Sequence, residues 1–254
     1  MQCFVFANRK GGVSKSTSCG ALFNWLERFG NGKKSVLIDL DSQCNISFAF
    51  GIDTFASDIP TIVDVFTGNA SLSDIMHQHS KNGYIVAGSE MLIDYDSGKK
   101  DFKVRLESAL KSVAKQFDYC IIDAPPSLGR LTVSALLASD KVVIPSQADI
   151  YSLQALNSMT KILQSVQQYN KITIAGILLT RHNERLILSK TLTELLDSKA
   201  KELGTKVFRS TIREGVAVRE ASAQQIGLFD YDPHLKSNVA KDYDSFCREF
   251  LEVK

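Results

Sequence analysis

Apolar residues occur along this chain in two kinds of segment, short continuous runs and longer stretches with helical spacing. The runs, which predict buried β-strands, lie at 3–7, 35–39, 119–123, 141–145 and 172–179. The helical stretches lie at 19–29, 102–116, 130–138, 149–169 and 186–203. This alternation predicts an α/β fold, a doubly wound and mostly parallel sheet flanked by helices, with ligands at the carboxyl ends of the strands.

The pattern is weakest in residues 51–100. Helical spacing recurs there near 61–66 and 71–78, and a strand is possible at 84–86. No repeat and no Pro/Gly/Ser-rich linker interrupts the chain. We therefore expect a single domain over 1–254.

The composition is that of an ordinary globular protein, with 44% hydrophobic and 23% charged residues and a net charge of +2. That charge is too small to imply a polyanionic partner. The five cysteines are odd in number and widely spaced, which predicts reduced thiols in a cytoplasmic protein. No apolar run approaches the roughly 18 residues of a membrane span. Because the first run begins two residues after Met1, we expect neither a signal peptide nor a DNA-reading domain before it.

The residues between the first run and the first helix predict a phosphate-binding loop. They are Lys10, Gly11, Gly12, Val13, Ser14, Lys15, Ser16 and Thr17. Small residues let main-chain N–H groups converge on an anion at the positive end of the following helix. Lys15 adds a charge beside the β- and γ-phosphates, and the Ser16 hydroxyl can ligate Mg²⁺. The alternative, a basic turn that binds nothing, is disfavoured by two glycines, two lysines and a Ser-Thr pair within this short loop.

This loop departs from the strict P-loop pattern, which has glycines where Arg9 and Ser14 stand here. It resembles the deviant Walker A loop of the ParA/MinD family of ATPases, Lys-Gly-Gly-x-Gly-Lys-Ser/Thr-Thr. In that family the extra lysine, here Lys10, reaches across a dimer interface to the partner's nucleotide. The resemblance implies ATP and Mg²⁺ as cofactors, catalytic roles for Lys10 and Lys15, and a homodimer that forms with ATP. A φ above zero at Ser14 would strain a serine by roughly 1 kcal/mol.

Three aspartates follow predicted strands. Asp123 ends an apolar run, as does a Walker B acid that holds Mg²⁺, although in isolation it is as readily a strand cap. Asp39 and Asp41 lie two apart on an extended chain and so project to one side. Their segment resembles the family's first switch, Asp-x-Asp-Pro-Gln, with Ser42 and Cys44 in place of the usual proline and glycine. The resemblance implies that Asp39 lies near Mg²⁺ and that Asp41 orients the attacking water.

Further segments match the family in the same order. Residues 124–129 resemble the second switch, an Asp-x-Pro-Pro run, and residues 229–233 resemble a Tyr-Asp-Pro stretch. Thr180 and Arg181 resemble the segment that packs beside the base and ribose, and a plain loop arginine is an equal alternative. The resemblance covers most of the chain.

Basic residues concentrate between 181 and 219, where nine cations face five acids. As a charge run alone, this segment is typical of a solvated helix face. Partition ATPases of the family bind DNA without reading its sequence, by placing cations against phosphates. The resemblance therefore implies a non-specific DNA surface, whose residues we expect to be Arg185, Lys199, Lys206, Arg209, Arg213 and Arg219.

The resemblance as a whole implies a partition ATPase, slow by itself, that segregates a plasmid, a mobile element or a chromosome. Its ATP-bound dimer would hold DNA at the nucleoid, and a ParB-type centromere-binding protein would stimulate hydrolysis. The alternative within the family is a MinD-like ATPase that cycles on membranes or positions a cargo. Membrane binding needs a basic C-terminal amphipathic helix, whereas the polar face of 241–254 is acidic, so we expect that helix to pack on the core and the membrane not to be a partner. An iron–sulfur role, as in the related nitrogenase iron protein, needs a positioned cysteine pair that is not evident.

Overall fold

The computed structural model describes residues 1–56, 58–182 and 187–252. The strands of this part are β1 Gln2–Phe6, β2 Ser35–Asp39, β3 Met76–Gln78, β4 Gly83–Val86, β5 Tyr119–Asp123, β6 Lys141–Ser146 and β7 Thr173–Leu179. They form one sheet in the order β3-β4-β2-β5-β1-β6-β7, and every neighbouring pair is parallel except β3 with β4. The predicted fold class is confirmed.

The helices connect these strands and cover both faces of the sheet. They are α1 Lys15–Phe29, α2 Asn45–Ala49, α3 Ile62–Thr67, α4 Leu92–Asp96, α5 Leu106–Val113, α6 Arg130–Leu137, α7 Ile150–Val166, α8 Ile187–Glu202, α9 Val216–Ala223, α10 Leu228–Tyr231 and α11 Asn238–Leu251. One core cluster joins one face of the sheet to α3 through α8, and the other joins the opposite face to α1, α2 and α9 through α11. Within β1, Val5 faces the first cluster while Phe4 and Phe6 face the second, as the two-residue period of a strand requires.

Two segments differ from the sequence prediction. Helical spacing near 71–78 marks only a 3-10 turn, Leu72–Ile75, which the Ser71–Asp74 capping box opens, and the chain then enters strand β3. The helix predicted over 102–116 is shorter, because Arg105 is an extended N-cap residue and α5 ends at Val113. The strand predicted at 84–86 is confirmed as β4.

The last helix, α11, packs its apolar face into the core. Tyr243, Phe246 and Phe250 are all buried, so the prediction that this helix serves packing is confirmed. Within the described residues, no helix is long and apolar enough to cross a bilayer. All five cysteines are buried free thiols, as the sequence predicted.

Candidate functional site

The phosphate-binding loop connects the end of β1 to the start of α1. Gly12 has φ +73°, and Ser14, the N-cap residue of α1, has the left-handed φ of 60°. The condition for strain at Ser14 is therefore met, and its side chain makes no capping hydrogen bond that would compensate. Cys44 caps α2 with φ 52°. Ser14 and Cys44, the two positions where this chain replaces a glycine of the resembled motifs, thus both have left-handed backbone.

Two side chains hold the loop from the neighbouring strand ends. The hydroxyl of Thr180, which is fully buried, lies 3.1 Å from the Val13 carbonyl oxygen and 3.3 Å from that of Ser146. Gln147 donates its amide to the Gly12 carbonyl at 3.2 Å. The Thr180 hydroxyl thus supports the loop, and its predicted place beside the nucleotide stays a prediction.

Lys15 lies at the start of α1 with its ammonium turned back over the loop. The side chain is buried, and Nζ lies 3.4 Å from the Lys10 carbonyl oxygen. Burial lowers the pKa of Lys15, while the carboxylates of Asp123 and Asp41 oppose that shift. The three predicted residues Lys15, Asp41 and Asp123 are thus close enough to interact electrostatically.

Asp39 and Asp123 end adjacent parallel strands and are paired in register. Both are fully buried. Neither carboxylate oxygen of Asp123 has a hydrogen-bond partner among the described residues. Burial, and then the neighbouring Asp39 carboxylate, raise the pKa of Asp123 well above its usual value, and the nearby Ser16 hydroxyl and Lys15 ammonium only partly oppose that shift. A buried carboxylate with no partner is costly, so this position calls for a cation or a proton.

Asp39 is held by the chain that follows it. Its Oδ2 accepts hydrogen bonds from the Ser47 amide at 3.0 Å and the Ser47 hydroxyl at 2.7 Å, and its Oδ1 accepts from the Asp41 amide at 3.1 Å. Burial nevertheless raises the pKa of Asp39 to about 6. The Gly88 amide donates to the Ser47 hydroxyl at 3.0 Å, and a Cβ at Gly88 would lie 3.0 Å from Asp39 Cγ. The absence of a side chain at Gly88 therefore lets the chain after β4 approach this carboxylate.

Asp41 is less enclosed than Asp39. Its Oδ1 accepts the Gln43 amide at 3.0 Å, which fixes the carboxylate at the beginning of the segment that leads to α2. No hydrogen bond engages its Oδ2 in the part of the chain that the structure describes. One oxygen of Asp41 is thus available for a water molecule.

The residues present fit a magnesium ion. Asp123 offers two unpartnered oxygens, Asp39 lies beside it, and Ser16 lies in the first turn of α1. No group of three His, Cys, Asp or Glu side chains in the described residues forms a metal site by itself. That agrees with Mg²⁺, which takes one or two protein oxygens and completes its shell with phosphates and water.

Lys10, the extra lysine of the loop, contacts its own chain. Its ammonium forms an ion pair with Asp149, the N-cap residue of α7, and donates to Gln147 Oε1 at 3.1 Å. The resemblance instead places this lysine across a dimer interface. Asp149 and Gln147 were not predicted as site residues, yet they follow strand β6 as Asp41 follows β2, so the same positional argument would have found them.

Arg181 lies beside the loop in a cleft of about 310 Å³. The cleft is also lined by Ser14 and Thr17 at the start of α1, and by Arg213 and Arg219 from the chain after β7. Arg213 is held by a bidentate ion pair with Asp242, with Nε–Oδ2 at 2.9 Å and Nη2–Oδ1 at 2.7 Å. The cleft therefore borders the phosphate-binding loop with cationic side chains.

The cationic side chains predicted to bind DNA differ in their location and in the groups that they contact. Arg213 and Arg219 line the cleft just described. Lys199 pairs with Glu202 at 2.8 Å, and Lys206 lies over the Phe208 ring at 5.3 Å. Arg209 is exposed, with its backbone amide bound to Glu249. Arg185 lies outside the described residues.

Known proteins resemble this chain over nearly its whole length. A family model described as an AAA domain matches residues 1–175. The sporulation initiation inhibitor protein Soj of Bacillus subtilis is 32% identical over 96% of each chain, and the chromosome-partitioning ATPase Soj of Treponema pallidum is 29% identical over 97% of this chain and 96% of that one. The fold matches an ATP complex of Cyanothece McdA at a TM-score of 0.84 and 24% identity, over 100% of this chain and 97% of that one. The chain therefore belongs to the Soj/ParA family of P-loop ATPases.

Proposed function

We propose that this protein is an ATP-dependent partition ATPase, which segregates a plasmid, a mobile element or a chromosome. One observation carries the proposal: a buried, unpartnered Asp123 stands beside Asp39 at the strand ends that flank a phosphate-binding loop. A nucleotide with Mg²⁺ would supply the positive charge that two adjacent buried carboxylates favour. The relatives named as partition ATPases support the biological role.

The loop would bind the triphosphate of ATP. Its main-chain amides and the N-terminus of α1 attract anions, and Lys15 places a buried ammonium next to them. Ser16, Asp39 and Asp123 would hold Mg²⁺, which neutralises charge on the β- and γ-phosphates. Arg181 would face the base or ribose from the adjoining cleft.

Asp41 would orient the water that attacks the γ-phosphate. Its Oδ1 is fixed by the Gln43 amide, and its Oδ2 remains to accept a proton from water. A water-orienting aspartate without a supplied activator leaves the charge of the transition state undercompensated. We therefore expect slow hydrolysis that a partner protein accelerates.

Lys10 would complete the site of a second copy. To do so it must leave Asp149 and Gln147, and the greater charge of a triphosphate is what draws it away. The ATP-bound homodimer would then hold nucleoid DNA in the cytoplasm through Lys199, Lys206, Arg209, Arg219 and Arg185. Arg213, which the sequence also predicted to bind DNA, is instead held by Asp242. A ParB-type centromere-binding protein would stimulate hydrolysis and release both DNA and dimer.

The MinD-like alternative gains no support from α11. The side chains of Tyr243, Phe246 and Phe250 in that helix are buried in the core, so none of the three is available to bind a lipid surface.

DNA retention tests the proposal. Unrelated duplex DNA is incubated with the wild type and with Asp41→Ala, with ATP, with ADP and without nucleotide. We expect retention only with ATP, weakening steeply with salt and persisting longer in Asp41→Ala because hydrolysis no longer releases the dimer. Anionic liposomes form the second arm. ATP-dependent binding to liposomes without DNA retention would support the membrane-cycling alternative instead.

A further inference from the structure

A cavity of about 750 Å³ lies between α4, α5 and α6. Its volume falls within the range of roughly 300–1,000 Å³ that is typical of small-molecule sites. None of the residues predicted to bind nucleotide, metal or DNA lines it. Leu128 and Gly129 of the lining belong to the segment that resembles the second switch, but neither the family nor the proposed function assigns a ligand to this cavity.

One wall of the cavity is apolar. Phe102, Leu128, Val133 and Leu137 line it, and all four are partly buried side chains packed on the main core cluster. Phe102 is fixed by edge-on contact with the Phe66 ring at 4.7 Å between centroids. An occupant would thus remove an already ordered apolar surface from water, which favours binding at little conformational cost.

The carboxylates of the lining are already satisfied. Asp96 accepts the Ser127 hydroxyl at 2.6 Å and the Leu131 amide at 3.0 Å. Asp101 pairs with Arg130 at 2.6 Å, and Glu107 pairs with Lys111 at 2.6 Å.

Arg105 is the exception among the charged lining residues. It stands at the N-cap position of α5, and its guanidinium makes no hydrogen bond or ion pair with any residue that the structure describes. Arg130, another lining residue, lies over the Phe102 ring at 5.4 Å, pairs with the exposed Asp101 and donates to the Lys100 carbonyl oxygen at 3.2 Å. Among the charged lining side chains, the exposed guanidinium of Arg105 is therefore the one that is open to an anionic ligand.

We propose that this cavity is a second binding site, which takes an organic anion with an apolar body. The acidic group would bind the Arg105 guanidinium, which offers two parallel N–H donors to a carboxylate or sulfonate. The apolar body would lie against Phe102, Val133 and Leu137. The inference does not depend on nucleotide binding, because the two sites share no residue.

The test uses the full chain without nucleotide and the probe 8-anilino-1-naphthalenesulfonate, an apolar anion that fluoresces in apolar sites. Variants that change the charge are Arg105→Gln and Arg105→Lys, and variants that fill the cavity are Val133→Trp and Ser134→Trp. Lys115→Gln is the matched control, since Lys115 is an exposed cation that follows α5 but does not line the cavity. Thermal unfolding shows which variants are folded.

We expect saturable binding in the wild type and in Lys115→Gln. Arg105→Gln should weaken it about tenfold or more, as expected for loss of a charge-assisted hydrogen bond, and Arg105→Lys should restore part of the affinity. A folded cavity-filling variant should lose binding. Octanoate should displace the probe, and neutral octanol should do so far less well. Unchanged probe affinity in Arg105→Gln or in either folded cavity-filling variant, or displacement equally strong with octanol, would overturn the proposal.

Discussion

The ammonium of Lys10 contacts the carboxylate of Asp149, which at the same time caps α7 by accepting the Ser152 amide at 2.9 Å. The lysine proposed to serve a second subunit is thus held by its own chain in this structure. Both side chains are about one-quarter to one-third exposed, at 25% and 31%, so the pair is weak enough to exchange.

Asp149→Asn should therefore favour the dimer. Asparagine keeps the capping oxygen and removes the charge that retains Lys10. Loss of a partly exposed ion pair of ~0.5–1 kcal/mol should lower the ATP concentration at half-dimerisation about two- to fivefold. Sedimentation velocity across an ATP series measures this. Asp94→Asn, which removes a carboxylate paired with the exposed Lys99, is the control and should leave the midpoint unchanged. An unchanged or higher midpoint in Asp149→Asn would show that the ion pair does not oppose assembly.

Asp123→Asn should stabilise the protein in the absence of nucleotide and Mg²⁺. Burial raises the pKa of Asp123, and burial also raises that of Asp39 to about 6, whereas both carboxyls have their ordinary lower pKa in the unfolded chain. At a pH between the unfolded pKa and the raised folded pKa of these carboxyls, the folded state retains protons that the unfolded state has lost. The free energy of unfolding therefore falls as pH rises from about 4 through 6 and beyond.

Thermal unfolding from pH 4 to 8 measures this effect. Asp123→Asn should unfold at a higher temperature than the wild type at pH 7.5 and should show a shallower fall with pH. Asp118→Asn is the control, because Lys33 lowers the pKa of that exposed carboxyl and its removal should bring no gain. A lower melting temperature for Asp123→Asn at pH 7.5 would mean that the buried carboxylate is not a cost to the free protein.

Ser14→Gly should relieve backbone strain at the start of α1. The φ of 60° at Ser14 disfavours any residue with a Cβ, and the serine side chain makes no capping bond in return. After allowance for the freer unfolded chain, we expect a gain of roughly 0.5–1 kcal/mol. Chemical denaturation measures it, with Ser14→Ala as the matched control that keeps the Cβ. Equal stabilities for the glycine and alanine variants would remove strain as the explanation.

Arg219→Gln and Arg213→Gln should separate DNA binding from stability. Arg219 has no ion pair with a described residue, whereas Arg213 makes its bidentate pair with Asp242, a carboxylate that is 11% exposed. Arg219→Gln should weaken ATP-dependent DNA retention and reduce the salt slope by about 1. Arg213→Gln should mainly lower the melting temperature, because Asp242 loses its cationic partner and keeps only the backbone amide of residue 213. The opposite division of effects would place the DNA surface elsewhere.

The two buried aspartates of the site could be predicted because each of them ends a continuous apolar run. Asp39 and Asp123 lie in register on adjacent strands, and a parallel sheet brings such positions to one edge. The phosphate-binding loop could be predicted in the same way, because it follows the apolar run of β1 at the same edge of the sheet. Fold class followed from the alternation of runs and helical stretches, since each element buries an apolar face against the others.

Other features depend on contacts distant in the sequence. Thr180 supports the Val13 carbonyl across 167 positions, and Lys10 meets Asp149 across 139. Ser47 binds Asp39 only because α2 turns back over the strand end. The sequence did not predict strand β3, because three residues are too few to show the alternation of apolar and polar positions. The strand is defined by its pairing with β4. No local pattern encodes these arrangements.

Nucleotide binding at the loop is the claim on which the rest of the account depends. Isothermal titration calorimetry with a slowly hydrolysed ATP analogue and Mg²⁺ measures it directly in the wild type and in Lys15→Ala. We predict one nucleotide bound per chain in the wild type and none in a folded Lys15→Ala variant. No heat of binding in the wild type, or equal binding by both proteins, would contradict the account.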